Sequence, residues 1–553
     1  MDVPPSGGVI LPRRAGEVAR AQRCAGGGKS RAAAPLRPYG APPPQAGEDQ
    51  YGRACLVVLL LAGMLAGCTA VGPNFVKPKA DVPQSWTKTG LEPAGKTPSM
   101  ATSAEPAVAW WESFHDPELT SLIKKAAAAN LDLKDSALRI AEARAQREIS
   151  AAAELPTLSG NASYTNERIS ETTAEGSIFS SLGNSTGLPI KIPSFPNPYN
   201  QYQIGFDASW EPDLFGGVRR SVEAAEADTQ TQEEDARDAL VSLEAEVARD
   251  YIDLRSAQAQ LAVTKRNLLT QQETRALAGD RFRAGLGTAL DVTNAEAQVR
   301  TTRSQAPPFS RSIASDINQL SQLLALEPGA LTAELETVKP VPPVPPQVPV
   351  GLPGDLLRRR PDIRAAEAQL HAATAREGVA VAALFPSVSF DLPFGTQAET
   401  FPKLADWASR FYSIGPSLTV PIFEGGKLQA NVKLANLQEK EAAVDYARTV
   451  LNAVHEVENA LIAYGTEQRR RDALQATLAQ NRDALALAEQ RYQSGVTTFL
   501  DVLDAERSEE QTELALAVSN AAVSTDLVAI YKAIGGGWAA EQKDAPKALP
   551  DSG

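Results

Sequence analysis

The chain carries one pattern twice, and this duplication restricts its folds more than any other feature. Arg281-Phe282-Arg283-Ala284-Gly285, then Leu290-Asp291-Val292 and Ala295-Glu296, returns as Arg491-Tyr492-Gln493-Ser494-Gly495, then Leu500-Asp501-Val502 and Ala505-Glu506. These copies lie 210 residues apart. Leu155-Pro156-Thr157-Leu158-Ser159 and Phe385-Pro386-Ser387-Val388-Ser389 make a second pair, 230 apart. The difference falls in the Ser/Gly/Pro/Asn-rich stretch 166–201, which is longer than its partner 395–412. Loops absorb such changes at little cost. A period this long is a tandem duplication of a whole unit, not a solenoid repeat. The first copy spans 68–337 and the second 353–535, with a Pro-rich linker at 338–352 and a tail at 536–553.

Each copy holds two segments that alternate with period two, which puts one residue set on each face of a sheet. Leu158, Gly160, Ala162 and Tyr164 alternate with Thr157, Ser159, Asn161 and Ser163. Tyr202, Ile204, Phe206, Ala208 and Trp210 alternate with Gln203, Gly205, Asp207 and Ser209. Val388, Phe390, Leu392 and Phe394 oppose Ser387, Ser389 and Asp391; Ile414, Pro416, Leu418, Val420 and Ile422 oppose Ser413, Gly415, Ser417 and Thr419. One apolar face and one small polar face suit a membrane barrel with a wet lumen. A soluble sandwich alternates in the same way. Four strands do not close a barrel, and lipid does not tolerate an open edge. Either the sheet is soluble or several chains share one barrel.

After Gly216-Gly217 and Gly425-Gly426 the sequence becomes rich in Ala, Glu, Arg and Leu, with no proline from 213 to 306 or from 422 to 545. Leu240, Val247, Leu254, Leu261 and Leu268 recur every seventh residue, and Val450, Val457 and Tyr464 hold the same phase. A heptad seam needs a partner helix and coils around it. Helices of roughly 65 residues, about 100 Å long, would run to Gly285, Gly287 and Gly495 and return antiparallel.

The N-terminal region reads differently. Residues 1–50 are rich in Pro, Gly and Arg without periodicity, which marks a disordered or mis-assigned extension. Arg53 precedes the apolar run Leu56–Leu65, too short to span a bilayer as a helix and suited to a signal-peptide core over 51–67. The run ends Leu65-Ala66-Gly67-Cys68. This resembles a bacterial lipobox, in which the cysteine is lipidated after cleavage, and Thr69 is compatible with outer-membrane sorting. Cys24, Cys55 and Cys68 all precede the body, so none staples it. The chain carries −13 overall, yet its first 67 residues hold eight Lys/Arg against four Asp/Glu. The body is therefore acidic, which argues against a nucleic-acid partner. Three dispersed histidines and no Cys/His cluster give no basis for a metal centre, and no cofactor is implied.

Several segments together resemble the outer membrane factor family, the TolC-like channels, and above all its lipoprotein branch serving RND multidrug pumps. They are Val71-Gly72-Pro73-Asn74-Phe75 with Pro78, Trp110-Trp111 with Phe114, Asp116-Pro117 and Leu119, Trp210 through Gly216, and Leu357 through Glu367. The resemblance implies a fold that is mainly α with a membrane β-barrel. It implies a homotrimer of twelve strands and twelve helices forming a tapering periplasmic tunnel. It implies an equatorial belt from the N-terminal region, the linker and the tail. It further implies a passive exit duct fed by an inner-membrane RND pump through a periplasmic adaptor, anchored in outer-membrane lipid at Cys68. Asp501 and Asp504 would ring the periplasmic entrance, and Asp291 and Tyr492 would help close it. Gly285 and Gly495 would mark the adaptor-docking tips. The basic residue that closes some relatives is Thr497 here. Read from spacing alone, Asp501 and Asp504 are equally helix-start acids. Export of proteins by a type I system and a periplasmic coiled-coil scaffold are the alternative functions. An enzyme is disfavoured, because the Gly-Gly pairs lack a P-loop lysine or a dinucleotide fingerprint and no nucleophile motif accompanies the serines.

Overall fold

The computed structural model describes residues 70–87, 100–170, 172–173 and 197–538. Cys68, the segments 1–50 and 51–67, and the tail past Trp538 lie outside the described residues.

The duplication appears as three pairs of helices of equal length. Helices α1 (Pro117–Ala129) and α2 (Leu131–Ala152) lead into the first two long strands; α3 (Gly217–Arg283) and α4 (Ala289–Leu323) come after them. In the second copy α5 (Pro361–Ala382) precedes the strands, and α6 (Lys427–Gln493) and α7 (Phe499–Ala533) come after. Thus α2 and α5 have 22 residues, α3 and α6 have 67, and α4 and α7 have 35. Each 67-residue helix is about 100 Å long. Both start at a left-handed glycine, Gly216 (φ 82°) or Gly426 (φ 84°), a conformation glycine adopts without steric cost.

Packing follows the predicted seams. Val247 and Leu254 are fully buried, with Tyr251 between them. On α6, Tyr446, Val450, Ala453, Val457, Leu461 and Tyr464 form one buried stripe at spacings of four and three, the knobs-into-holes signature. The α4 helix continues through Pro307 and Pro308, both exposed, because Ala295, Val299 and Thr302 before them and Ile317 and Leu320 after them are buried. Packing on both flanks outweighs the two missing N–H groups.

The main sheet runs β2 (Thr157–Glu167), β3 (Tyr199–Trp210), β5 (Ser387–Ala398), then β6 (Arg410–Tyr412) and β7 (Gly415–Thr419), both on the far side of β5. All pairs are antiparallel. The fourth strand, expected over 413–422, starts earlier, ends earlier and is interrupted. Its register is continuous, since Tyr412 faces Phe394 and Gly415 faces Asp391. The interruption lies opposite Pro393, which has no N–H to offer, although the Ser413 N–H still donates to the Pro393 carbonyl at 3.0 Å. The register sets Leu158, Ala208 and Leu392 on one face, with Phe206 stacked on Phe394 at 5.4 Å and Trp210 on Phe390 at 6.1 Å. This apolar face is bare: Leu158 is 67% exposed and Leu418 65%. Its two outer strands, β2 and β6–β7, each have one edge unpaired among the described residues.

Midway along the helices the N-terminal segment, the linker and the last described residues meet. Strand β1 (Met100–Thr102) pairs in parallel with β4 (Gln347–Pro349) of the linker. The Trp86 indole donates to the Gly351 carbonyl at 3.0 Å, and Trp110 stacks on Tyr531 at 5.1 Å. Fully buried Arg255 donates to Glu118 on α1 and to the Thr337 carbonyl at 2.7 Å, while Lys339 donates to Glu118 at 2.8 Å. Trp538 packs against the guanidinium groups of Arg237 and Arg364, 5.1 and 5.0 Å from its ring, and donates to the Arg359 carbonyl at 3.0 Å. Beside it, Glu244 is so close to Gly537 that a Cβ there would fall 1.9 Å from the carboxylate. Burial pushes the Glu244 carboxyl up to about 9.

The closest approach in the main sheet is at Gly395, where a Cβ would meet the Ile204 carbonyl oxygen at 2.3 Å. Gly395→Val should push β3 and β5 apart and cost several kcal/mol, of order 3. Heated, unreduced gels of purified protein should show loss of the assembled form; an assembly as heat-resistant as the parent would contradict this contact.

Candidate functional site at the helical tips

Both hairpins turn by the same chemistry. The α3 helix ends at Gly285 (φ 75°), with Gly285 N–H bonded to the Phe282 carbonyl at 3.0 Å and Leu286 N–H to the Arg281 carbonyl at 2.8 Å. The α6 helix ends likewise at Gly495 (φ 74°), through Tyr492 and Arg491. This is a Schellman stop, and left-handed glycine is its natural residue. The return helices then open with capping boxes. Asp291 accepts the Thr288 N–H at 2.9 Å while Thr288 Oγ1 accepts the Asp291 N–H at 3.2 Å. Asp501 accepts the Thr498 N–H at 3.0 Å and the Thr498 hydroxyl at 2.8 Å, and also the Thr497 hydroxyl. These bonds, Thr497 first, hold the Asp501 carboxyl below its ordinary value. One Asp501 oxygen therefore serves the cap. Asp504 has no such duty: its side chain is 67% exposed, with Arg507 at 3.8 Å.

A small core joins the tips: Ala278 and Ala295 of the first hairpin pack with Leu485, Tyr492, Phe499, Val502 and Leu503 of the second. Tyr492 lies 5.4 Å from Phe499 and beneath the Arg281 guanidinium at 4.6 Å. Burial raises its phenol above the ordinary value, an effect that Arg281 opposes and Asp291 adds to. Its hydroxyl has no partner among the described residues, and the hydrogen bonds that Asp291 makes are those of its capping box. Around the turns Phe282, Leu286, Leu290, Val496 and Leu500 are exposed.

Sequence reading missed the seam just above the tips. Glu506 and Glu510 of α7 are buried against α3 and α4. Glu510 accepts from Gln271 at 3.1 Å, Gln298 at 3.3 Å and Thr302 at 3.3 Å; Glu506 accepts from Thr274 at 2.7 Å and keeps a second oxygen unpartnered among the described residues. Arg507 donates to Gln298 at 3.0 Å. The sequence does carry a signal for this seam: Phe499, Leu503, Glu506 and Glu510 continue one stripe at spacings of four, three and four.

A sheet with a bare apolar face, feeding long paired hairpins with acidic tips, defines one subunit of a membrane-embedded duct. The chain belongs to the outer membrane efflux protein family, which matches residues 122–326 and 352–536. It is 34% identical over 484 residues to the solvent efflux pump outer membrane protein SrpC of Pseudomonas putida, covering 87% of this chain and 97% of that one. It is 33% identical over 492 residues to the outer membrane protein OprJ of Pseudomonas aeruginosa, covering 87% and 96%. Among solved structures, the outer-membrane channel OprN superposes with a TM-score of 0.75 at 33% identity, over 85% of this chain and 99% of that one. The open-state MtrE channel of Neisseria gonorrhoeae gives 0.69 at 30%, over 85% and 98%. The fold is thus TolC-like, a β-barrel continued by a long helical barrel, and the protein is an outer-membrane efflux channel that extends into the periplasm. Its relatives are channel proteins.

Burial lifts both seam carboxyls above 4.5; hydrogen bonds from Thr274 to Glu506, and from Gln271, Thr302 and Gln298 to Glu510, oppose it. A carboxyl with a raised value in the packed state favours packing at low pH, and that contribution fades as pH climbs through the raised value. The melting temperature should therefore fall as pH rises above the ordinary carboxylate range, and fall less in Glu506→Gln/Glu510→Gln. Equal slopes would remove the seam from the explanation.

Proposed function

We propose that the protein is the passive, trimeric exit duct for small molecules handed over by an RND-type pump through a periplasmic adaptor, with a cation-selective entrance at Asp501 and Asp504. The carrying observation is the open four-stranded sheet: its outward face is apolar, its edges are unpaired among the described residues, and its strands run straight into 67-residue helices. Only further copies complete such a sheet in lipid. Lipid on Cys68 would add an anchor beside the barrel.

At the tips, three copies bring together six carboxylates. The cap gives Asp501 a fixed position and keeps it ionised, and Asp504 stands exposed one turn on, beside Arg507. A ring of fixed negative charge draws cations and repels anions, and a multivalent ion can lodge there. Closure would rest on Tyr492 packed under Arg281, since Thr497 supplies no positive charge. The exposed apolar residues around Gly285 and Gly495 suit an adaptor that grips each tip and biases the closed-to-open equilibrium by differential contact.

Purified protein in planar bilayers tests this. It should conduct with cation preference and be blocked by a trivalent cation from the tip side. Asp501→Asn retains an oxygen for the cap and removes the charge; combined with Asp504→Asn it should weaken that block by about tenfold or more. Unaltered selectivity and block in the double variant would remove both residues from the entrance, and no conductance from the parent would end the duct reading.

A further inference from the structure

The polar face of the sheet carries a phenyl ring that breaks its pattern. Register places Thr157, Ser159, Asn161, Ser163 and Thr165 of β2 with Gln203, Asp207 and Ser209 of β3, and with Ser387, Ser389, Asp391 and Gln397 of β5. Phe411 of β6 faces Gly395 and so shares this face. Its ring lies over Gly205, where a Cβ would be 3.5 Å from Phe411 Cζ. Gly205 and Gly395 are themselves paired, so two neighbouring strands leave a hollow that one phenyl ring overlies. Gly205 is buried although its strand neighbours Ile204 and Phe206 are exposed.

Position gives this ring its meaning. From Ser387, where β5 leaves α5, to Gly395 is about 27 Å at the rise of an antiparallel strand. That is close to the height of a barrel's apolar band. Phe411 therefore stands at the outer mouth. Tyr164, Tyr202 and Tyr412 lie near this level on the opposite, lipid-facing side, where an aromatic girdle belongs. Phe411 points the other way. Apart from Pro393 and Tyr199, whose hydroxyl donates to Glu167 at 2.8 Å, it is the large apolar side chain on the polar face. The charged residues on that face of the described strands are Asp207, Asp391 and Glu167, all acidic.

We propose that Phe411 is a solute-contacting, specificity-determining residue at the outer mouth of the duct, where one ring from each copy meets aromatic solutes, cationic ones foremost, as they leave. An aromatic ring offers a π face to planar groups and to cations, and the carboxylates nearby add attraction for positive charge. The inference rests on the duct reading, because that reading makes the polar face the lumen.

The test is electrical and made from the loop side of a planar bilayer. Tetraphenylphosphonium added there should block the parent channel, and Phe411→Leu, which keeps bulk without a π face, should weaken that block about fivefold. Phe411→Tyr should retain it. In Phe411→Cys, a membrane-impermeant cationic thiol reagent from the loop side should lower the current in up to three steps. Equal block in Phe411→Leu, or a cysteine that fails to react or reacts without changing the current, overturns the proposal while the duct stands. A parent protein without current overturns both.

Discussion

The structure turns on an unfinished sheet. Four strands bury no second layer among the described residues, leave edges open at β2 and at β6–β7, and turn large apolar side chains outward. In water that face would drive aggregation; in lipid the unpaired backbone groups at each edge would cost several kcal/mol apiece. Both costs vanish only when strands of other copies pair with these edges and the face meets hydrocarbon. Assembly and membrane insertion are therefore one requirement. The helices answer it at the other end, since each 67-residue rod brings its own buried seam.

The tips resolve a different conflict. In the proposed duct they would have to close without fusing, and the residues that join the hairpins suit that demand. Among the described residues, Tyr492 packs beneath Arg281 with its hydroxyl unpartnered, and Glu506 keeps an unpartnered oxygen in a buried seam. An imperfectly satisfied polar interface is weaker than an apolar core of the same size, so the opening proposed above would meet less resistance at this seam. The turns themselves are held by the Schellman and capping-box pairs, so any such opening would fall on the seam rather than on the hairpin ends.

Much of this is legible in the sequence because it depends on periodicity. Alternation at Leu158–Tyr164 and Tyr202–Trp210 marks the faces that the register shows, and heptads at Val247, Leu254, Val450 and Val457 mark the buried stripes. What escapes depends on context. Pro393 interrupts a strand to which it does not belong. Phe411 lies just before the segment whose alternation marks the fourth strand, so its face is invisible until the register is known. Glu506 and Glu510 look like solvated charges unless their phase is carried over from Phe499 and Leu503. Asp501 is legible both as an entrance acid and as a helix-start acid; its hydrogen bonds show the second duty, and the first depends on other copies of the chain.

The meeting of Trp538 with Arg237 and Arg364 has a temporal consequence. Residues 527–538 complete a core whose other walls come from the start of the chain, through Trp110 and Phe114, and from its middle, through Leu356 and Ile363. A polypeptide delivered from its N-terminus presents that closing piece after all the walls it packs against. Until it arrives, the waist of the molecule lacks Leu527, Tyr531 and Ile534 as packing partners, and Glu244 lacks the glycine backbone that seals it from water. The long rods can coil early, but the waist that holds them in register sets only after residues 527–538 have arrived.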